Sequence, residues 1–402
     1  MDVADPGARD VLRRDWGAVT STLTTGTSAH RRSATTTTQR VWKQFCAAHG
    51  LPPDLHDVPG DPIPILLLFA HQYRTGRIAP SDRPVRSRTV EDAVRQVAQA
   101  FTRVGATDPR LNAFGVVDVR LHALFQAWKR VDPPPARVKP MPLSLMRHAH
   151  TFALAQPSGS RVATTGDCLL LAYFFLLRPG EYSGAPRTTA DDLFRFQDVG
   201  IMIGHRRLNP LTCLSSELLA STFVTLTFTT QKNGVRGETI GHGRSGHPTL
   251  CPVQAIVRRI LQLRAAGALP TTPINAFRPT PTACWQFVLA SDVTALIRQA
   301  VGLLPDLDAN DFSARCTRAG GAMALLCGGI GADRLRLIGR WRSDEVYRYL
   351  HVQAQPIMAG VAATMLRGGD FRLNLPPSSI NGPPFSASLA PMADEVLPPS
   401  HE

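Results

Sequence analysis

Residues 312–351 read FSARCTRAGGAMALLCGGIGADRLRLIGRWRSDEVYRYLH, and this stretch sets the terms for the rest of the chain. Its spacing predicts three short helices. One starts near Ser313, a glycine-rich turn follows at Gly328–Gly331, and a second helix covers 332–341. Ser343 then reads as an N-cap with Asp344 and Glu345 in the first turn, opening a helix that carries Tyr347 and Tyr349. Arg315 and Arg318 are three apart and fall on one helix face. Gly320 and Gly321 come directly after, each costing ~1 kcal/mol against alanine inside a helix. Two glycines beside two arginines predict that something bulky and anionic approaches that backbone.

Composition bounds the function classes. A chain of 402 residues, 44% hydrophobic, can build two domains with buried cores. A net charge of +13 and a pI near 10.1 point to a polyanionic partner, nucleic acid or a membrane surface. Lysine supplies only four of the positive charges, at positions 43, 129, 139 and 232. The rest is arginine, a bias that a GC-rich genome also produces. Seven scattered cysteines without a CxxC pair, and no signal-peptide pattern, predict a reduced intracellular protein without a cysteine zinc site. The longest apolar run, 168–177, is too short for a bilayer, so no membrane role is expected.

The Ser/Thr-rich segment 1–37 predicts a flexible arm, basic at His30, Arg31 and Arg32. Residues 38–131 read as a small helical bundle. Its helices fall over 38–49 (Val41, Trp42, Phe45 and Cys46 at helical spacing), 62–73, 89–104 behind the capping box Thr-Val-Glu-Asp, and 116–131. Residues 132–142 open with DPPPARVKPM, a stiff, extended, basic linker containing Arg137 and Lys139. A second domain spans 143–355, with helices over 143–155 and 165–177. The latter stops at Arg178-Pro179-Gly180-Glu181, because proline disfavours helical geometry in the residue before it. An arginine ending a buried helix must be paired or face a cleft, and Glu181 is the obvious partner. Strands are expected over 199–203 and 223–230, then a turn at Lys232-Asn233-Gly234 and a paired strand over 238–242. Helices follow over 251–266 and 285–301, and 356–402 reads as a largely disordered tail. The expected fold class is mainly α, of the α+β kind: a helical bundle plus a mixed helical domain with a small antiparallel β-sheet.

The order of the chemistry-bearing groups is the informative part: RxxE after an apolar helix, a lysine at a β-turn, RxxR on a helix, Gly-Arg-Trp, then a tyrosine. This order resembles the catalytic domain of tyrosine recombinases, the phage-integrase superfamily, over about 143–355. The stretches RPGEY, LCPV, RAGGA and GRWRSDEVYRYLH are most similar to the Crypton-type recombinases of eukaryotic mobile elements. The bundle before them is similar to that family's helical DNA-binding domain in size, placement and charge.

The resemblance implies site-specific DNA cleavage and rejoining through a 3′-phosphotyrosine, with double-stranded DNA as partner, self-association on DNA, and neither metal nor ATP. It implies DNA recombination or integration in the nucleus of a eukaryote, or otherwise in a cytoplasm. Arg178 matches the family's first arginine with Glu181 as its supporting companion, Lys232 the hairpin lysine, Arg318 the second arginine and Tyr349 the nucleophile. Arg315 stands where the family has histidine. The later His/Trp position falls on Arg340 by count from Gly339, or on Trp341 by residue type. Arg178, Arg318, Lys139 and Arg137 are the expected DNA contacts, and the two domains are expected to clamp a duplex.

The residue types suit this chemistry on their own terms. Arginines donate bidentate bonds to non-bridging phosphate oxygens. A tyrosine nucleophile stores the bond energy as a phosphotyrosine, and no GxxxxGK[ST] motif for ATP occurs. Lysine can protonate a leaving oxygen where arginine cannot, and Lys232 is the only lysine after residue 139. A two-metal nuclease needs clustered carboxylates; the nearest set, Asp306, Asp308 and Asp311, reads instead as the cap of a helix starting at Phe312. Two alternatives stay open: a recombinase fold that Arg315 has left catalytically decayed, and a helix–turn–helix-like regulator, built on residues 324–341, that only binds DNA.

Overall fold

The computed structural model describes residues 6–368 except 26–28, 56, 57, 59, 104, 113, 135–138, 185–192, 230–236, 281, 342–345, 348–354, 359 and 360. The described residues divide into two compact units, those up to 134 forming the first and those from 139 onward the second.

The first unit is helical: α1 (Pro6–Thr25), α2 (Ala29–Ala48), α3 (Ile63–Arg74), α4 (Ser87–Arg103) and α5 (Val119–Val131). Its core gathers on the Trp42 indole, with the rings of Phe69 and Phe101 edge-on at 5.1 and 6.5 Å and Phe45 stacked at 5.7 Å. The arm expected to be flexible over 1–37 is helical in α1 and again from Ala29. Its threonines do not break the helices because their hydroxyls bond back within them. Thr22 Oγ1 donates to Ala18 O at 2.8 Å and Thr37 Oγ1 to Ser33 O at 3.0 Å. The capping box expected at Thr89 lies inside α4. The helix is capped from a distance instead: Ser87 N donates to Asp132 Oδ2 at 2.8 Å, and Asp132 pairs with Arg74 at 2.5 Å.

The second unit begins with α6 (Leu143–Leu154), α7 (Arg161–Phe174) and α8 (Pro179–Tyr182). Then come β1 (Val199–Ile203), β2 (Arg206–Leu208), α9 (Ser215–Ala220), β3 (Phe223–Phe228), β4 (Glu238–Gly243) and α10 (Pro252–Ala265). The chain continues through β5 (Ala276–Phe277), β6 (Gln286–Phe287), α11 (Ala290–Val301), α12 (Cys316–Cys327), α13 (Ala332–Gly339), α14 (Gln355–Met358) and α15 (Val361–Gly368). The main sheet is antiparallel in the order β2-β1-β3-β4, with Val199 opposite Leu226 and Phe228 opposite Glu238. Among the described residues the fold is therefore mainly α with a small antiparallel four-stranded sheet, as the sequence predicts, and a further two-stranded pair, β5–β6. Helix α7 sits in the centre of the core, buried from Ala163 to Tyr173 and started by Ser160, whose hydroxyl accepts from Ala163 N at 3.2 Å. Arg259 is buried at 2% exposure and stays satisfied by donating to Ile274 O and Thr164 Oγ1, both at 3.0 Å.

Three expectations are corrected here. The helix expected over 285–301 begins at Ala290, because Gln286 and Phe287 pair with Phe277 and Ala276 as β6. The helix expected from Ser313 begins at Cys316; Asp308 caps only a single turn at Ala309–Asp311, accepting from Asn310 N at 2.9 Å. The tail expected to be disordered from 356 carries α14 and α15, and residues 369–402 lie outside the described set. The seven cysteines are all free. Among the described residues no helix is long and apolar enough to cross a membrane.

Candidate functional site

The site is built where α7 ends. Helix propagation stops at Phe174–Phe175, and Leu176 takes a left-handed conformation (φ 49°), which costs a non-glycine residue about 1–3 kcal/mol unless its surroundings hold it. Leu177 N closes the turn on Ala172 O at 2.9 Å. Arg178 is extended (φ −77°, ψ 150°), as the following proline requires. Glu181, 4% exposed, folds back as a cap. Its Oε2 accepts from Arg178 N at 2.8 Å and its Oε1 from Arg178 Nη1 at 3.0 Å. Tyr182 then ties this turn to the approach of α12, donating its buried hydroxyl to Ala314 O at 3.1 Å.

Two further arginines hold the strained turn. Arg318, on α12, donates from Nη1 to Leu176 O at 2.8 Å and from Nη2 to Gly339 O at 2.6 Å, with its guanidinium 4.3 Å from the centre of the Trp341 ring. Arg340 follows α13 in a left-handed conformation (φ 57°, ψ 40°) and turns inward. Its Nη1 donates to Phe175 O at 3.2 Å and its Nη2 to Leu176 O at 3.1 Å. The same Nη2 lies 3.4 Å from Glu181 Oε2, and the guanidinium lies 3.8 Å from the centre of the Phe228 ring on β3. Burial pushes the Arg340 guanidinium down to about 10, while the Glu181 charge beside it works the other way; it stays charged at neutral pH. Arg178, Glu181, Arg318, Arg340 and Trp341 thus meet around one carbonyl and one carboxylate, although more than a hundred residues separate Arg178 from Arg318.

Arg315 and Arg318 do not share an environment, contrary to the expectation of one helix face. Arg318 is 2% exposed, whereas Arg315 sits at the N-cap of α12, ahead of the packed turns, and is exposed. Trp341 is 8% exposed and serves as a platform under Arg318. Lys139 reaches Asp311 as an ion pair, which anchors the chain entering this unit. Lys232, Arg137 and Tyr349 lie outside the described residues, so their positions carry no geometric statement. Tyr347 is 51% exposed, while its neighbour Val346 is buried against the Leu176–Trp341 cluster.

The glycine pair has a different cause from the anion expected. A Cβ on Gly320 would stand 2.3 Å from Met141 O, and one on Gly321 would stand 2.2 Å from Tyr173 O. The bulky neighbours are the protein's own backbone, crossing α12 on two sides. Gly321→Ala is expected to destabilise the unit by about 1–3 kcal/mol, because α7 and α12 must separate. Gly180→Ala, with nothing within 4 Å of the added Cβ, is the control and should stay within about 0.5 kcal/mol. Thermal melts of the two variants check this; equal midpoints would remove close backbone approach as the reason for Gly321.

Sequence reasoning missed three contributors. The Leu176 carbonyl and the Phe228 face are invisible in residue type, since one is backbone and the other looks like an ordinary strand aromatic. His242, on β4, bonds Phe174 O through Nε2 at 2.9 Å and stands edge-on to Phe175 at 4.6 Å, and burial lowers its basicity. Among the described residues no group of three or more His, Cys, Asp or Glu side chains is placed to hold a metal ion.

No protein-family model and no curated protein matches the chain. Among solved structures it is similar to the Tn1549 transposon integrase in complex with transposon right end DNA, at 11% identity and TM-score 0.43, covering 82% of this chain and 98% of that one. It is also similar to a lambda integrase dimer bound to a COC′ core site, at 11% identity and TM-score 0.46, covering 86% and 96%. A third similar structure is XerA recombinase, at 12% identity and TM-score 0.35, covering 88% and 97%.

Proposed function

We propose that the protein is a tyrosine-type DNA recombinase or integrase of Crypton-like sequence, which cuts and rejoins duplex DNA through a 3′-phosphotyrosine. The observation that carries this reading is the convergence of Arg178, Glu181, Arg318, Arg340 and Trp341 on one turn. A regulator that only binds DNA through α12 and α13 has no need of an arginine–glutamate turn ending α7. In the proposed reaction Arg178, with Arg315 exposed at the start of α12, meets the non-bridging oxygens of the scissile phosphate. Arg318 braces the turn from below. Tyr349 attacks phosphorus, the bond to the 5′ oxygen breaks, and Lys232 gives that oxygen its proton. Arg315 cannot act as an acid or base near neutral pH, so proton removal from the tyrosine falls to another group or to solvent.

Relaxation of a supercoiled plasmid carrying the element's own ends, with EDTA and without ATP, tests this reading. The expected product is closed, relaxed circles; an unchanged plasmid under conditions of saturated binding contradicts strand transfer. Affinity for that DNA should also fall steeply with salt, by a log–log slope of roughly 0.9 per phosphate contact released. A slope near zero would remove nucleic acid as the partner.

A further inference from the structure

Arg340 occupies, by count from Gly339, the later His/Trp position that the family resemblance places in the catalytic set, yet its geometry keeps its guanidinium inside the protein. The side chain is 3% exposed. Nη1 is taken by Phe175 O and Ile338 O, Nη2 by Leu176 O and Glu181, and Nε is buried without a hydrogen-bond partner among the described residues. One face of the guanidinium is covered by Phe228. Nη1 and Nη2 are engaged and Nε is buried, so no exposed donor is left to reach a DNA phosphate.

Its neighbours give it a different task. The Glu181 carboxylate is gripped on one oxygen by Arg340 from inside and by the Arg178 backbone, and on the other by Arg178 Nη1. The Arg178 side chain, 28% exposed, is the outer end of this chain of contacts. We propose that Arg340 is a positioning residue: from the interior it fixes the Glu181 carboxylate, and through it the Arg178 guanidinium that meets the scissile phosphate. The phosphate in this statement rests on the strand-transfer reading above; the Arg340–Glu181–Arg178 geometry does not. The lever is short. A displacement of about 1 Å in a phosphate-binding group is enough to slow a reaction by roughly 10²-fold.

The test pairs Arg340→Gly with Arg178→Ala. Glycine suits the left-handed backbone at 340 and so removes the guanidinium without adding strain. Arg340→Gly should slow covalent adduct formation roughly 10²-fold in the otherwise unchanged protein. In the Arg178→Ala background it should slow it by less than about twofold, since a residue acting only through Arg178 has nothing left to position. Equal losses in both backgrounds would overturn the proposal.

A second readout needs no activity. The ¹⁵N resonance of Arg178 Nε–H, assigned by its disappearance in Arg178→Lys, should report at least tenfold faster guanidinium rotation in Arg340→Gly. Unchanged rotation would also overturn the proposal. If Arg340→Gly melts below assay temperature, Arg340→Lys takes its place, as an ammonium cannot span Glu181 and the two carbonyls together. If the unmodified protein forms no adduct, the strand-transfer reading fails and the resonance alone decides the role of Arg340.

Discussion

Tyr349→Phe is expected to abolish covalent attachment to DNA while leaving DNA binding intact. The phenol oxygen is the proposed nucleophile, and loss of a nucleophile lowers rates on a scale of roughly 10⁶-fold, which on a nicked suicide substrate means no adduct at all. Two tyrosines compete for the role. Tyr347 and Tyr349 are two apart, so on one helix they point about 200° from each other and cannot both face one phosphate. Tyr347 is 51% exposed, and spacing from Gly339 and Arg318, as the family resemblance implies it, decides for Tyr349. Tyr347→Phe should therefore still form the adduct. A Tyr347→Phe protein that binds DNA without adduct, beside an active Tyr349→Phe protein, would reverse the assignment. If the unaltered protein forms none, Arg315→His becomes informative: a gain of adduct identifies a decayed recombinase, and continued silence favours a protein that only binds DNA.

Lys232→Arg is expected to keep DNA affinity and slow cleavage by about 10²–10⁴-fold, the usual cost of losing a general acid. Arginine preserves the charge but does not release its proton near neutral pH. The loss should vanish on a substrate whose leaving 5′ oxygen is replaced by sulfur, because a thiolate leaves without being protonated. Persistence of the loss on that bridging phosphorothiolate would make Lys232 a phosphate contact instead of an acid. Affinity measured on the uncleaved duplex separates the two cases, since a lost phosphate contact weakens binding and a lost acid does not.

Much of this organisation was legible in local chemistry. The proline after Arg178 foretold the extended backbone there, although α7 already ends at Phe174 and not at the expected 177, and Glu181 three residues on foretold the ion pair. Alternating β-branched and aromatic residues foretold β3, and its partner β4 starts at the expected Glu238. What escaped depends on residues far away in the chain. Asp132 caps α4 from 45 positions beyond Ser87. Gln286 and Phe287 became strand because Ala276 and Phe277 were there to pair with them. Gly320 and Gly321 were read as room for a ligand, whereas Met141 and Tyr173 fill that room with backbone. The inward turn of Arg340 could not be read at all. Nothing in its side chain distinguishes a guanidinium aimed at DNA from one aimed at the carbonyls of Phe175 and Leu176.

The central claim is that a tyrosine of this chain becomes joined to DNA. It is tested most directly by mass analysis of the protein after incubation with a nicked duplex of the element's ends in EDTA. The account predicts one proteolytic peptide, the one containing Tyr349, heavier by a nucleotide attached through its 3′-phosphate. Full occupancy of the DNA with every peptide at its unmodified mass, or the nucleotide on any residue other than Tyr349, would contradict it.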